Sequence, residues 1–347
     1  MRIAQIAPLY ERVPPVAYGA TERVVHYLTE ALVADGHDVT LFASGDSLTS
    51  ARLVACCERA LWRDARVDDT LGHHVRLLET VAQRAADFDV LHFHCEPLHL
   101  PLARRLPTPS LTTMHGLLRE PDVGLLLREF ADAPLVAISA SQRRAMPFAN
   151  WRATIHHGLP SNEFDARAAP GDYLLWMGRM MPAKRPDLAI DIARRAGMPL
   201  KMAAAVHPGE RAYFAGEIAP LIERSAGFVD YLGEVGGDAR ATLLRHARAL
   251  LFPIDWEEPF GMVMIEALAC GTPVVAFRRG AVPEVIEQGV SGFVVDDVEG
   301  AVEALRRIGS IGRRACRDAF ERRFTAARMT RHYVDVYEQV ASHAMQR

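Results

Sequence analysis

RIAQIAPLYERVPPVAYGATERVVHYLTEALVADGHDVTLFA (Arg2–Ala43) reads as strand, loop, helix and strand. Arg2 to Ala7 is a short apolar run of strand type. Pro8, Pro14, Pro15 and Gly19 then mark a loop, and apolar residues at helical spacing run from about Thr21 to Ala34. Gly36 stops the helix, and Asp38–Ala43 supplies the next strand. Two strands joined by a crossover helix form a βαβ unit, the building block of a parallel sheet.

The same alternation continues outward. Further strands are predicted at Val90–Phe93, Ser110–Thr113 and Val136–Ile138, which makes the first half doubly wound. The stretch Asp165–Asp172 (DARAAPGD) is small, charged and aperiodic, and reads as a linker. Beyond it, strands at Tyr173–Met177, Leu200–Ala204, Phe228–Leu232, Ala249–Pro253 and Pro273–Phe277 alternate with helices at Pro186–Ala196, Gly209–Arg224, Ala239–His246 and Gly261–Ala269. The expectation is an α/β protein of two Rossmann-like domains, 1–168 and 169–325, followed by a tail, 326–347. Doubly wound sheets hold ligands beyond the carboxyl ends of their strands, so two of them facing each other predict a central cleft.

Composition narrows the partners. With 347 residues, half of them apolar, the chain has material for two cores. A net charge of -3 gives no reason to expect nucleic acid. Arg306, Arg307, Arg313, Arg314, Arg317, Arg322 and Arg323 crowd the last quarter, and their helical spacing among acidic residues reads as a solvated helix face. The five cysteines (Cys56, Cys57, Cys95, Cys270, Cys316) contain no CxxC pair and suggest neither a disulfide framework nor a zinc site. No spanning segment and no signal peptide is apparent, so the reading is cytoplasmic, with peripheral contact to the inner membrane face left open.

The most informative chemistry lies in DWEEPFGMVMIEALACGTPVVA (Asp255–Ala276). Pro259 and Gly261 mark a helix start, Glu258 precedes it, and Glu266 follows about two turns later. At 1.5 Å per residue the two backbones stand about 12 Å apart, the span of a sugar diphosphate and its ribose. Between them lie the N–H groups of Phe260, Gly261, Met262 and Val263, and a helix N-terminus stabilises a diphosphate. Glu266 sits among apolar neighbours, where its carboxylate needs a partner; a ribose diol would serve.

GRMMPAK (Gly178–Lys184) follows the first strand of the second half, so Arg179 and Lys184 occupy a loop at a strand's carboxyl end. An arginine fork and a lysine point charge there could hold a diphosphate and replace a metal. No DxD-type loop is present, and no cofactor is expected. In the N-terminal loop Pro14–Glu22, Gly19 permits close backbone approach before a helix start. His92 and His94 alternate along a strand, but only Glu96 offers an acidic partner for a metal. His115, after a strand and before Gly116, is placed to touch a sugar hydroxyl.

Together with RRGAVPEVIEQGVSGFVV (Arg278–Val295) and AYGATERVV, these segments resemble family 4 of the retaining glycosyltransferases, over nearly the whole chain. The glutamates separated by seven residues match that family's E-x7-E signature. The resemblance implies the GT-B fold and metal-independent transfer of a hexose from a nucleotide diphosphate sugar to an acceptor it does not identify. UDP is the default nucleotide, with GDP and ADP open. It further implies that Arg179 and Lys184 hold the diphosphate, Glu258 lies near the transferred sugar, Glu266 binds ribose and His115 contacts the sugar. Gly233–Val235 would lie beside the base, Gly280–Glu284 would form a further loop near the site, and the last helix, from Ala326, would return to the first domain. A nucleotide-sugar epimerase and a non-catalytic binding module share this logic and stand as alternatives. Ala20 replaces a glycine common in relatives; a positive φ there would cost about 1 kcal/mol.

Overall fold

The computed structural model describes every residue except positions 18, 96, 120, 167, 168, 170, 226, 346 and 347, and the side chains of 343–345 also lie outside the description. The chain divides into two compact units, Met1–Gly158 with Ala326–Arg347, and Leu159–Thr325.

The first unit is built on seven strands, β1 (Arg2–Ile6), β2 (Asp38–Ser44), β3 (Arg52–Cys57), β4 (Val90–Phe93), β5 (Ser110–Met114), β6 (Leu135–Ala137) and β7 (Trp151–Thr154). All pair in parallel, in the order β3-β2-β1-β4-β5-β6-β7. The order reverses between β1 and β4, and the loops leaving these neighbouring strands part to opposite sides. This is the switch point at which such sheets receive ligands. The predicted βαβ opening is present: helix Ala20–Ala34 buries Val24, Val25, Leu28 and Leu32, and Gly36 turns the chain at φ 85°. Helix Ala326–Met345 belongs to this unit and buries Tyr333 and Tyr337 completely.

The second unit carries six parallel strands, β8 (Leu174–Met177), β9 (Leu200–Ala203), β10 (Val229–Tyr231), β11 (Ala249–Phe252), β12 (Val274–Phe277) and β13 (Gly292–Val295), in the order β10-β9-β8-β11-β12-β13. Its switch point lies between β8 and β11. Every residue of β8, β11 and β12 is buried, which is why these strands are continuous apolar runs in the sequence.

Strands β3, β7 and β13 were not among those predicted. All three are edge strands, and β3 and β7 are only partly buried, so RLVACC and WRAT lack the apolar run of a central strand. The predicted linker, Asp165–Asp172, contains positions 167, 168 and 170, which lie outside the described residues. The compact units divide earlier, at Gly158 and Leu159. Leu159 already bonds Phe324, and Arg317 grips the carbonyls of Ser161 (2.6 Å) and Phe164 (2.6 Å).

The arginine-rich segment corrects the expectation of a solvated face. Arg313 donates to the carbonyls of Ala247 (3.1 Å) and Cys270 (2.9 Å), Arg317 to that of Ala269 (2.7 Å), and Arg323 to those of Glu284 and Val285. These carbonyls sit at helix ends, where no intrahelical donor reaches them and a cation is favoured. Arg306 and Arg314 do face solvent. Among the described residues no helix is long and apolar enough to cross a membrane.

Candidate active site

The two loops flanking the second unit's switch point meet. The loop after β8 carries Lys184 and the loop after β11 carries Glu258, and Lys184 Nζ donates to Glu258 Oε2 at 2.5 Å. Trp256 Nε1 donates to the same oxygen at 3.0 Å. The ammonium also stands over the rings of Trp256 (4.5 Å) and Phe252 (5.4 Å). A carboxylate and two aromatic faces thus hold a largely buried cation, and cation–π attraction strengthens as water is excluded. An ammonium has three protons, and Glu258 takes one.

Backbone geometry fixes both partners. Arg185, the one non-glycine residue with a positive φ (48°) among the described residues, turns the chain directly after Lys184. Its guanidinium chelates Asp187 and reaches Asp255 at 3.6 Å. On the other side, Ala281 N donates to Glu258 O and Gly280 N to Glu257 Oε2, each at 2.9 Å. A Cβ on Gly280 would fall 2.2 Å from Glu258 O, so only glycine permits this approach. The loop Gly280–Glu284 therefore clamps the glutamate's backbone.

Gly261 precedes the helix Met262–Ala269 at φ 86°, and a Cβ there would meet Met264 Cε at 2.6 Å and Glu258 Cγ at 3.4 Å. Spacing places Glu258 beside the helix start, and the tertiary structure adds Lys184 to the pair. The N–H groups of Met262 and Val263 have no intrahelical acceptor, whereas Met264 N donates to Gly261 O at 2.9 Å. Phe260 packs its ring edge-on against Phe324, so it can offer a ligand only backbone.

The other two charged residues have partners the sequence did not disclose. Glu266, 1% exposed, receives Arg240 Nε at 3.1 Å and Arg240 Nη2 more closely still. Its burial is thus compensated by a guanidinium from helix Gly237–His246, not by a ligand alone. Val235 lies half-buried in the loop leading into that helix. Arg179 donates its Nε to the buried Glu210, which also caps His207 N at 3.2 Å, so Arg179 is tied to the loop after β9 and not to Glu258. The Arg179 side chain remains 41% exposed, with its terminal nitrogens as further donors. Gly178 shows no steric demand for glycine: the nearest atom to a Cβ would be Trp176 Cζ2 at 3.9 Å. Arg240, Glu210 and Trp256 carry no local sequence signal: an ordinary surface-type residue acquires meaning only from its neighbour in space.

In the first unit, Gly19 has φ 142° and a Cβ there would strike Pro15 Cβ at 2.7 Å. Ala20 begins the helix and is not among the residues of positive φ, so the strain expected for an alanine there does not arise. Position 18 of this loop lies outside the described residues. Burial pushes the Glu22 carboxyl up to about 7, and the charge of Glu11 adds to the shift.

His115 leaves β5, with its Nε2 2.9 Å from His94 Nδ1 and its ring stacked on His157 at 5.2 Å. Part of its surface is open, yet Nδ1 is buried without a partner among the described residues, and burial pushes the ring's pKa down to about 3. His92 and His94 are hydrogen-bonded inside the unit, and Glu96 lies outside the described residues. Among the described residues no three His, Cys, Asp or Glu side chains form a metal-holding group.

Two parallel-sheet units, each with loops gathered at its strand ends, are those of a GT-B fold, and solved structures share this fold. Sucrose-phosphate synthase from Thermosynechococcus elongatus superimposes with a TM-score of 0.81 at 18% identity, covering 98% of this chain and 99% of that one. AviGT4, a glycosyltransferase of avilamycin A biosynthesis, gives 0.75 at 24% identity, covering 98% of both. The Anabaena protein HepE, in complex with UDP-glucose, gives 0.73 at 17% identity, covering 98% of this chain and 100% of that one. These likenesses establish the fold.

The profile described as Glycosyltransferase Family 4 matches residues 21–170, and that described as Glycosyl transferases group 1 matches residues 171–310. The two matches together span residues 21–310, and the chain belongs to the glycosyltransferases that these profiles describe. It is 30% identical over 203 residues to the D-inositol 3-phosphate glycosyltransferase of Saccharomonospora viridis, covering 52% of this chain and 47% of that one. It is 33% identical over 158 residues to the protein of the same name from Mycobacterium tuberculosis (strain F11), covering 40% of this chain and 30% of that one. The matched regions span less than half the length of these curated relatives.

Proposed function

We propose that this glycosyltransferase moves a hexose from a nucleotide diphosphate sugar to an acceptor hydroxyl with retention of anomeric configuration and without a metal. The observation that carries the reading is the Lys184–Glu258 pair at the helix start of Gly261. It sets a cation, a carboxylate and a row of N–H donors around one place where a diphosphate would fit. A UDP-sugar is the favoured donor, a choice supported by the UDP and UDP-glucose described for HepE.

In this reading the second unit binds the donor. Lys184 keeps one proton on Glu258 and turns the others to the diphosphate, Arg179 adds its terminal nitrogens, and the first-turn N–H groups complete the cradle. Glu266, held by Arg240, takes the ribose hydroxyls, and the Gly233–Val235 turn lies beside the base. The first unit supplies the acceptor subsite; Gly19 is assigned to donor binding and His115 to the sugar contact. The acceptor oxygen attacks the anomeric carbon on the face the diphosphate leaves. The carbon–oxygen bond to the diphosphate breaks as the new one forms, and the acceptor's proton passes to the departing phosphate oxygen. The fixed cations stabilise the charge gathering on the leaving group, the work a metal does elsewhere.

The test is a thermal-shift screen of the full chain across UDP-, GDP- and ADP-sugars, followed by product analysis with the labelled sugar of the best binder in the presence of chelator. Release of nucleoside diphosphate with the sugar in its original anomeric configuration, unaffected by the chelator, is expected. Inverted product, chelator-sensitive turnover or an altered sugar still on its nucleotide would each overturn the reading.

A further inference from the structure

A single file of polar side chains crosses the interior of the first unit and ends on His115. His115 Nε2 lies 2.9 Å from His94 Nδ1, and His94 Nε2 lies 2.7 Å from Gln5 Oε1. Gln5 Nε2 donates to the Tyr337 hydroxyl at 3.0 Å, which lies 2.7 Å from His92 Nδ1. His92 Nε2 is 2.8 Å from Thr113 Oγ1, itself 2.9 Å from the Tyr333 hydroxyl. Gln5, His92, His94, Thr113, Tyr333 and Tyr337 are all buried. They come from the first unit's β1, the β4 strand and its end, β5, and the C-terminal helix, with Gln5 and His92 directly paired across β1 and β4.

A neutral imidazole has one N–H and one lone pair, so each link in such a file dictates the next. The amide oxygen of Gln5 can only accept. His94 must therefore carry its proton on Nε2 and offer a lone pair at Nδ1, which His115 fills with Nε2–H. The lone pair of His115 is then left on Nδ1, the buried atom with no partner among the described residues. Burial holds both rings neutral, pushing His94 well below the usual histidine range. An unfilled buried acceptor is unfavourable, and a ligand hydroxyl would satisfy it.

We propose that this file locks His115 in the Nε2–H tautomer, so that its Nδ1 accepts a hydrogen bond from a sugar hydroxyl, with Gln5 and His94 as positioning residues. The sugar-contact part rests on the reading of His115 given above; the lock does not. Orientation of a histidine by the group behind it is a recurrent catalytic device, and here that group is an amide whose other end is fastened to the C-terminal helix.

The full chain labelled with 15N-histidine tests it by two-bond 1H–15N correlation, with His115 assigned by its loss in His115→Ala. The expected spectrum has the His115 proton on Nε2. Gln5→Met removes the acceptor, and should mix the His115 tautomers and lower kcat about ten-fold while KM for the donor moves less than about two-fold. Gln5→Glu, whose carboxylate still accepts from His94, should keep the Nε2–H form. A proton on His115 Nδ1 in the unsubstituted chain would overturn the lock, as would Gln5→Met with the tautomer unmoved. Should Gln5→Met not fold, the unsubstituted spectrum decides alone. Full transfer by His115→Ala beside an Nε2–H spectrum would overturn the sugar contact and leave the lock; lost transfer beside an Nδ1–H spectrum would do the reverse.

Discussion

Lys184 and Glu258 are 74 positions apart in the chain and 2.5 Å apart in space, joined at the point where the second sheet reverses its strand order. A lysine so held is oriented before any ligand arrives, which is the condition for electrostatic catalysis without reorganisation.

Lys184→Ala is expected to lower kcat by at least about a hundred-fold with the fold retained, since removing one preorganised donor typically has that effect. Arg179→Ala should act in the same direction. Turnover measured beside circular dichroism and thermal melting checks both, and near-normal turnover in either variant would contradict the assignment.

Arg240→Ala strands the Glu266 carboxylate at 1% exposure without its guanidinium partner. A loss of about 3 kcal/mol or more is expected in urea unfolding, because an uncompensated buried charge remains. Arg240→Met combined with Glu266→Leu should recover most of that stability while donor binding stays lost. Recovery of binding with stability would remove Glu266 from the site.

Gly280→Ala sets a methyl against the backbone of Glu258, where the nearest atom stands 2.2 Å away, at a φ of 53°. Displacement of Glu258 should reduce kcat by about ten-fold or more, since small misplacements at a reacting centre are costly. Gly178→Ala, with nothing nearer than 3.9 Å, should leave the melting temperature within about a degree of the parent and serves as the control.

Glu22 carries a carboxyl raised from 4.5 to about 7 by burial. Between those values the unfolded chain has released this proton and the folded chain still holds it, so stability falls as pH rises through that window and then levels off. The contribution is about 3 kcal/mol at most, at 1.36 kcal/mol per unit. Glu22→Gln should therefore raise the unfolding midpoint above that of the parent at pH 8 and leave it unchanged at pH 4. Equal differences at the two pH values would assign the effect to packing.

Much of the architecture was legible because buried central strands must be apolar. VLHF at Val90–Phe93 and the run at Leu174–Met177 announce themselves in this way, whereas the edge strands RLVACC and WRAT, half in water, do not. The arginines of the last quarter misled for a related reason: helical spacing says which side chains share a face, and is silent on whether that face meets solvent or the carbonyls of Ala247, Ala269 and Cys270.

The sequence by itself determined the βαβ order, the glutamates about the Gly261 helix start, and the placing of Arg179, Lys184 and His115 on loops after strands. All of these are local in the chain, and local spacing is what periodicity and helix geometry govern. Tertiary structure alone decided the pairings Lys184–Glu258, Arg240–Glu266 and Arg179–Glu210, and the file from Tyr337 through Gln5 and His94 to His115. Strand order and helix docking choose those neighbours, and desolvation then makes each pairing obligatory: a charge or imidazole removed from water must find its partner wherever the fold has put one.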